Sequence, residues 1–181
     1  MPDADRCAGE PMIEPSNEQW IRQAMAEHSG ALTGYVAHLL GDLHRARDVV
    51  QETFIKLCAQ PRERIGDHLR PWLFTTARNR ALDVLKKEHR MTTLDDTHEP
   101  PAPEAPSTMD DRTDGILSAL DGLPPNQREV IRLKFLHDHS YREISAVTGL
   151  SEGNVGFLIH TGLKTLRRKL AGGADLERSS V

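Results

Sequence analysis

The stretch that most constrains the fold is residues 140–170, which reads as two helices joined by a tight turn. Ser140 and Glu143 have the spacing of a capping box, in which each side chain accepts a hydrogen bond from the other residue's backbone N–H. Gly149 is placed to end that helix. The chain usually leaves a helix through the left-handed conformation, which costs a residue with a Cβ about 1 kcal/mol or more. Ser151 can cap the second helix. This order of signals is typical of a helix-turn-helix.

The second helix of such a motif lies in the major groove of DNA, with its first residues at the base edges and its basic end near phosphates or a protein partner. An ordinary helical hairpin in a bundle is the alternative, and the basic end of the second helix favours DNA. The candidate DNA contacts are Arg142, Ser151, Glu152, Asn154, Gly156, Phe157, His160, Lys164 and Arg167.

The segment just upstream strengthens this interpretation. Residues 123–136 begin with two prolines, which a first helical turn accepts, and continue as an apolar stripe. The run LPPNQREVIRLKFLHDHSYREISAVTGLSEGNV, residues 123–155, resembles region 4 of bacterial sigma factors of the extracytoplasmic-function (ECF) group. The resemblance implies a domain that binds the promoter −35 element and the β flap of RNA polymerase. Gly156 and Phe157 depart from the basic and hydroxyl residues common there, and we expect close approach to DNA at Gly156 or contact of Phe157 with a thymine methyl.

Length and composition limit the class of protein. A chain of 181 residues, 38% hydrophobic and 28% charged, has room for one or two small globular domains. No apolar run approaches the length of a membrane span, and the first residues are polar, so we expect a cytoplasmic protein without membrane insertion. The net charge of −4 argues against a protein that coats DNA nonspecifically.

The N-terminal half predicts a four-helix domain over residues 16–90, after a disordered segment 1–15. A first helix begins near Ser16 and stops at Ser29-Gly30, and a second runs to Gly41. A third follows Asp42 and buries Val49, Val50 and other apolar residues on one side. A fourth is expected to open at Pro71.

The exposed face of the third helix carries a possible polymerase site. The run RDVVQETFIKL resembles region 2.2 of the same sigma group, whose helix docks on the β′ clamp of RNA polymerase. The resemblance implies polymerase contacts at Asp48, Gln51, Glu52 and Phe54. The alternative is that Asp48 and Glu52, four residues apart, only solvate the helix.

A polar loop at residues 61–70 and the basic fourth helix form a possible platform for single-stranded DNA, because bases stack on aromatic rings and cations follow phosphates. The alternative is that the basic residues of the fourth helix only face solvent. Trp72 fits a core position as well as a DNA contact. The run WLFTTARNRALDVLKK resembles regions 2.3 and 2.4 of ECF sigma factors, which open the −10 element and hold a flipped base against the preceding loop. The implied contacts are Arg62, Arg64, His68, Arg70, Trp72, Arg78, Asn79 and Arg80.

Residues 91–113 combine prolines with acidic side chains, which predicts a flexible linker. Residues 114–170 form the helix-turn-helix domain, and residues 171–181 a tail. The predicted fold is therefore all-α, with two small helical domains on a flexible tether. Whether the free chain is extended or folds domain on domain stays open.

No constellation of residues predicts catalysis, a cofactor or a metal. His137-Asp138-His139 superficially suggests a metal site, but adjacent residues cannot all face one ion without unusual backbone geometry, so a polar turn is favoured. Cys7 and Cys58 lie far apart and form no metal-binding pair.

The two resemblances together imply an alternative sigma factor, with core RNA polymerase and promoter DNA as partners and, by family likeness, an anti-sigma factor that holds it inactive. An autonomous helix-turn-helix regulator and a protein-interaction module are the alternatives. Neither needs a polymerase-binding helix followed by a strand-opening one.

Overall fold

The computed structural model describes residues 17–92 and 111–178, with side chains described for 17–90 and 116–170. Within these ranges every regular element is helical, as predicted. The elements are α1 (Asn17–Leu40), α2 (Leu43–Cys58), α3 (Arg62–Ile65), a 3₁₀ turn (Gly66–His68), α4 (Leu69–Thr92), α5 (Asp111–Asp121), α6 (Pro125–Phe135), α7 (Tyr141–Thr148) and α8 (Glu152–Arg178). The predictions for residues 1–15 and for linker residues 93–110 lie outside the described residues.

Helix α1 is continuous, so the predicted break at Ser29-Gly30 was wrong. The Thr33 hydroxyl donates a hydrogen bond to the Ser29 carbonyl at 2.7 Å. This contact spans one helical turn across the predicted break. A mid-helix glycine costs only about 1 kcal/mol relative to alanine. Burial of Leu32 and Tyr35 in the following turns outweighs that cost, since a fully buried apolar side chain contributes about 1.5–3 kcal/mol.

The turn into α2 follows the sequence signals. Gly41 has a positive φ of 70°, where glycine is favoured. Asp42 caps α2, because its Oδ1 accepts hydrogen bonds from the backbone N–H groups of His44 and Arg45 at 2.8 and 3.1 Å. The predicted core face is confirmed, and its buried residues are Ala46, Val49, Val50, Thr53, Phe54 and Leu57.

The segment predicted as a polar loop at residues 61–70 is largely helical. Ile65 is buried at 4% exposure and anchors α3 to the core. Helix α4 begins at Leu69, two residues before the predicted start at Pro71. Pro71 then occupies the first turn, where a missing N–H leaves no helical bond unmade.

The helix-turn-helix forms as predicted. Ser140 Oγ accepts from the Glu143 N–H at 3.2 Å, and Glu143 Oε2 accepts from the Ser140 N–H at 2.7 Å. Gly149 is left-handed with φ 75°, and Ser151 Oγ accepts from the Asn154 N–H at 3.3 Å to cap α8. Two boundaries differ: α5 starts at residue 111, inside the predicted linker, and α8 continues to residue 178, inside the predicted tail.

The N-terminal unit (α1–α4) and the C-terminal unit (α5–α8) pack against each other. One cluster of buried apolar residues joins Leu73 and Ala77 of α4 to Leu133, Ile144 and Val155 of the C-terminal unit. A smaller cluster holds α5 against α6 and α8. The described chain is therefore one packed body in this structure. Among its helices none is long and apolar enough to cross a membrane.

Substitution by alanine is expected to have opposite effects on the stability of the protein at two glycines of α8. We expect Gly156→Ala to raise the free energy of unfolding by about 1 kcal/mol, because alanine favours the helix and its Cβ would lie 3.5 Å from Tyr141, an ordinary contact. We expect Gly162→Ala to lower it by about 1 kcal/mol, because that Cβ would lie 2.5 Å from Ile131 Cδ1 in the core. Thermal unfolding of both variants should give midpoints shifted in opposite directions by roughly 2–4 °C. Two upward shifts would show that Ile131 moves aside freely.

Candidate nucleic-acid and polymerase interfaces

The exposed face of α8 carries most of the predicted duplex contacts. Phe157, His160 and Lys164 follow one another at helical spacing on the side away from the buried Val155 and Ile159. Phe157 is 65% exposed, so most of its ring is open to contact with a partner. The other exposed members of the predicted set are Arg142, Ser151, Glu152, Asn154 and Arg167.

Gly156 is the exception in that set. It is half-buried, and the place where a side chain would begin faces the ring of Tyr141 on α7. Close approach of DNA at Gly156 therefore stays a prediction, and the Tyr141 ring would lie beside it. An alanine side chain would fit there with an ordinary contact, so the packing of the two helices does not itself require a glycine.

The outer face of α2 is exposed where a polymerase contact was predicted. Asp48 and Gln51 are exposed, and Ile55 beside them is 61% exposed. Phe54 is only 4% exposed and packs in the core, so the predicted partner contact of its side chain is corrected. Phe54 follows the core residue Val50 by four positions, a spacing that puts both on one side of a helix, whereas Ile55 lies off that side.

Glu52 and Arg80, predicted for two different partners, form an ion pair. Arg80 Nη2 donates to Glu52 Oε1 at 3.0 Å, and Arg80 Nε donates to Glu52 Oε2. This hydrogen bonding holds the pKa of the Glu52 carboxyl below its usual value. The pair is more than one third exposed and links α2 to α4, so it contributes little to stability.

The predicted −10 contacts divide between surface and interface. Arg64, His68 and Asn79 are exposed, while Arg62 and Arg70 are half-buried. His68 and the half-buried Trp72 line a groove of about 590 Å³. The opposite wall of that groove is α7, through Arg142, Glu143 and Ala146. Trp72 thus packs against the core and also faces the groove, and its contact with DNA stays a prediction.

Arg78 is turned into the contact between the two units. Its Nε donates to Glu129 Oε1 at 2.6 Å, and its Nη2 donates to Glu129 Oε2 at 3.1 Å. The Tyr35 hydroxyl donates to the same Oε1 at 2.7 Å. The side chains of Arg78 and Glu129 are 17% and 11% exposed. Hydrogen bonding to Glu129 raises the pKa of Arg78, and burial raises the pKa of Tyr35.

Two histidines of the predicted polar turn belong to the same interface. Asp138 between them takes a left-handed φ of 48°, and His139 is fully buried. The His139 ring lies 4.5 Å, between centroids, from Phe74 of α4 in an edge-to-face arrangement. The His137 ring lies 5.2 Å from Phe74 and 5.8 Å from Tyr35. Within the described residues no group of three or more potential ligands could hold a metal ion.

Comparison with known proteins identifies both units. The family model Sigma-70 region 2 matches residues 24–91, and the model Sigma-70, region 4 matches residues 113–166. The ECF RNA polymerase sigma factor SigL of Mycobacterium tuberculosis is 33% identical over 157 residues, covering 83% of this chain and 88% of its own. RNA polymerase sigma factor CarQ of Myxococcus xanthus is 32% identical, covering 84% and 89%.

A solved structure shares the fold. The sigma factor RpoE from Bartonella quintana, crystallised in complex with the anti-sigma factor NepR, superposes with a TM-score of 0.69 at 24% identity, covering 83% of this chain and 96% of that one. The chain therefore belongs to the extracytoplasmic-function group of RNA polymerase sigma factors and is an alternative sigma factor that acts with RNA polymerase.

Proposed function

We propose that the outer face of α2 binds the β′ clamp of core RNA polymerase. The observation that carries this proposal is that Asp48, Gln51 and Ile55 are exposed together on a helix whose opposite face is fully used in the core. Ile55 with polar neighbours fits an interface that has an apolar centre and a polar rim. The C-terminal unit is proposed to contact the β flap.

The helix-turn-helix is proposed to bind the −35 element as duplex. Its recognition helix presents Asn154 and Phe157 near the N-terminus, where base contacts are made, and Lys164 and Arg167 further along for phosphates. Asparagine can pair with adenine through two hydrogen bonds, and an exposed phenylalanine suits a thymine methyl.

The −10 element is proposed to bind as single strand on α3, the 3₁₀ turn and the start of α4. Arg64, His68 and Asn79 are exposed there, and Trp72 offers a ring at the groove. A flipped base stacked on such a ring compensates for part of its unstacking energy. Arg78 joins this set only when the two units separate, because Glu129 holds it in the present arrangement.

The regulatory partner is proposed to be an anti-sigma factor acting in the cytoplasm. The RpoE structure with its anti-sigma factor NepR, which shares this fold, supports the kind of partner. Sigma factors are non-catalytic regulators, and no chemistry is proposed for this chain.

A reconstituted transcription assay tests the function. Purified protein, sigma-free core polymerase and a genomic promoter library are combined, and the 5′ ends of the transcripts are sequenced. Discrete starts that require both proteins are expected. A specific duplex footprint from the protein alone, with no starts from active core, would instead support an autonomous regulator.

The α2 surface gives a direct prediction. We expect Asp48→Arg to weaken binding to core polymerase by about tenfold, because it reverses a charge within the proposed contact. The matched control is Glu27→Arg, the same charge reversal on the exposed side of α1. Fluorescence anisotropy of labelled protein titrated with core measures both. Equal loss in the two variants would show that net charge, and not the α2 surface, sets the affinity.

A further inference from the structure

We propose that the packed arrangement of the two units is an autoinhibited state. In this state the carboxylate of Glu129 on α6 binds the guanidinium of Arg78, which would otherwise bind a DNA phosphate. The inference rests on the proposed function, since it takes Arg78 as a contact of the opened strand. The two carboxylate oxygens of Glu129 accept hydrogen bonds from two nitrogens of the Arg78 guanidinium. Arginine binds phosphate with the same pair of parallel hydrogen bonds.

The contact is sheltered from solvent and held by a third group. The Tyr35 hydroxyl donates a hydrogen bond to Glu129 Oε1, the same oxygen that accepts a hydrogen bond from Arg78 Nε. Burial keeps water from screening the charges, so DNA has to displace Glu129 before it can use Arg78. The carboxylate reaches Arg78 from 51 positions further along the chain, so it belongs to the other unit.

The rest of the interface covers further parts of α4. Helix α7 forms one wall of the groove whose other wall holds Trp72, Thr75 and Thr76. The His139 ring packs on Phe74, which lies one helical turn before Arg78. A single strand lying on Trp72 and Thr76 would meet α7, so the two units have to separate before a strand can bind there.

The interface is built to open. His137 Nδ1 and His139 Nε2 are buried and have no hydrogen-bond partner within the described residues. Both atoms gain water as a partner when the units separate, which lowers the cost of opening. The polymerase face of α2 is exposed in the packed state, so core polymerase can bind before the units open.

Energy transfer between two dyes tests the latch in solution. Cys58 is exposed on α2 and accepts one dye, and Arg168→Cys on α8 accepts the other, in a full-length Cys7→Ser background. The parent protein is expected to show a high-transfer population. Glu129→Lys is expected to lose it, because two cations would then face each other in a buried contact. The matched control is Glu18→Lys, an identical charge change on an exposed residue of α1, which should keep high transfer.

Strand binding is measured on the same proteins with a fluorescein-labelled single-stranded DNA pool of random sequence. Glu129→Lys is expected to bind about tenfold more tightly than Glu18→Lys, because Arg78 and the covered parts of α4 become available. Glu129→Gln keeps the side-chain shape and removes one charge, so it replaces Glu129→Lys if circular dichroism shows that the lysine variant has lost helix. It should show a smaller shift in the same direction.

Low transfer in the parent, or high transfer retained by a folded Glu129 variant, would overturn the latch. Opening without tighter strand binding than the control would overturn the role of Glu129 as a phosphate substitute. Neither measurement needs polymerase, so a failure of the transcription assay with a working latch would count against the proposed function alone.

Discussion

Phe74→Ala is expected to lower the free energy of unfolding by about 3–5 kcal/mol, the cost of truncating a buried aromatic residue. The Phe74 ring is 1% exposed. It packs on Tyr35 of its own unit at 5.2 Å between centroids and on His137 and His139 of the other unit. The cavity would therefore weaken the N-terminal core and the contact between the units together.

The chain supplies its own control for this substitution. Phe157→Ala removes the same atoms from a side chain that is 65% exposed, and it should change the free energy of unfolding by less than about 0.5 kcal/mol. Urea unfolding followed by circular dichroism measures both variants. Similar midpoints for the two would mean that the Phe74 ring is solvated in solution and that the units do not pack around it.

Local signals in the sequence were enough to place most helix ends. Gly41, Asp42, the Ser140 and Glu143 capping box and Gly149 each act through backbone groups within four residues, so their effect does not depend on the rest of the fold. Where tertiary burial decides, these signals failed. Gly30 did not break α1, and residues 61–70 became helical around the buried Ile65.

The contact between the units could not be predicted in this way. Nothing near Glu129 in the sequence indicates that it meets Arg78, because the two are brought together only by packing of α6 beside α4. His139 follows the same logic: its neighbours predicted a polar turn, yet its ring fills space next to Phe74. Titratable groups at such positions are identified by burial, which a single sequence does not carry.

Acid is expected to destabilise the packed protein through His137. Burial is the main cause that lowers the pKa of His137 to about 4, and the cations Arg70 and Arg132 and the neighbouring His38 and His139 act in the same direction. Burial also lowers the pKa of His38 and of His139, although Glu143 opposes the shift at His139. The folded chain therefore favours the neutral rings.

The sign follows from where the protons bind. An unfolded histidine titrates near 6.5, so between about 6.5 and 4 the unfolded chain binds more protons than the folded one. The contribution of neutral His137 is complete above about pH 6.5 and is lost as the pH falls toward 4. It amounts to at most about 3 kcal/mol, and partial exposure of the ring reduces it. Carboxyl groups with lowered pKa values, such as Glu52, act at lower pH.

His137→Gln isolates this contribution, because glutamine keeps a polar side chain but binds no proton. We expect the variant to lose less of its free energy of unfolding than the parent between about pH 6.5 and pH 4.5, in a series of urea titrations. His160→Gln, which removes an exposed histidine from α8, should follow the parent across the same range. If all three proteins lost stability in parallel, the His137 ring would be solvated in the native protein. The packed interface at Phe74 would then not be present in solution. A flatter profile for His137→Gln alone would show that proton binding to His137 destabilises the packed native state.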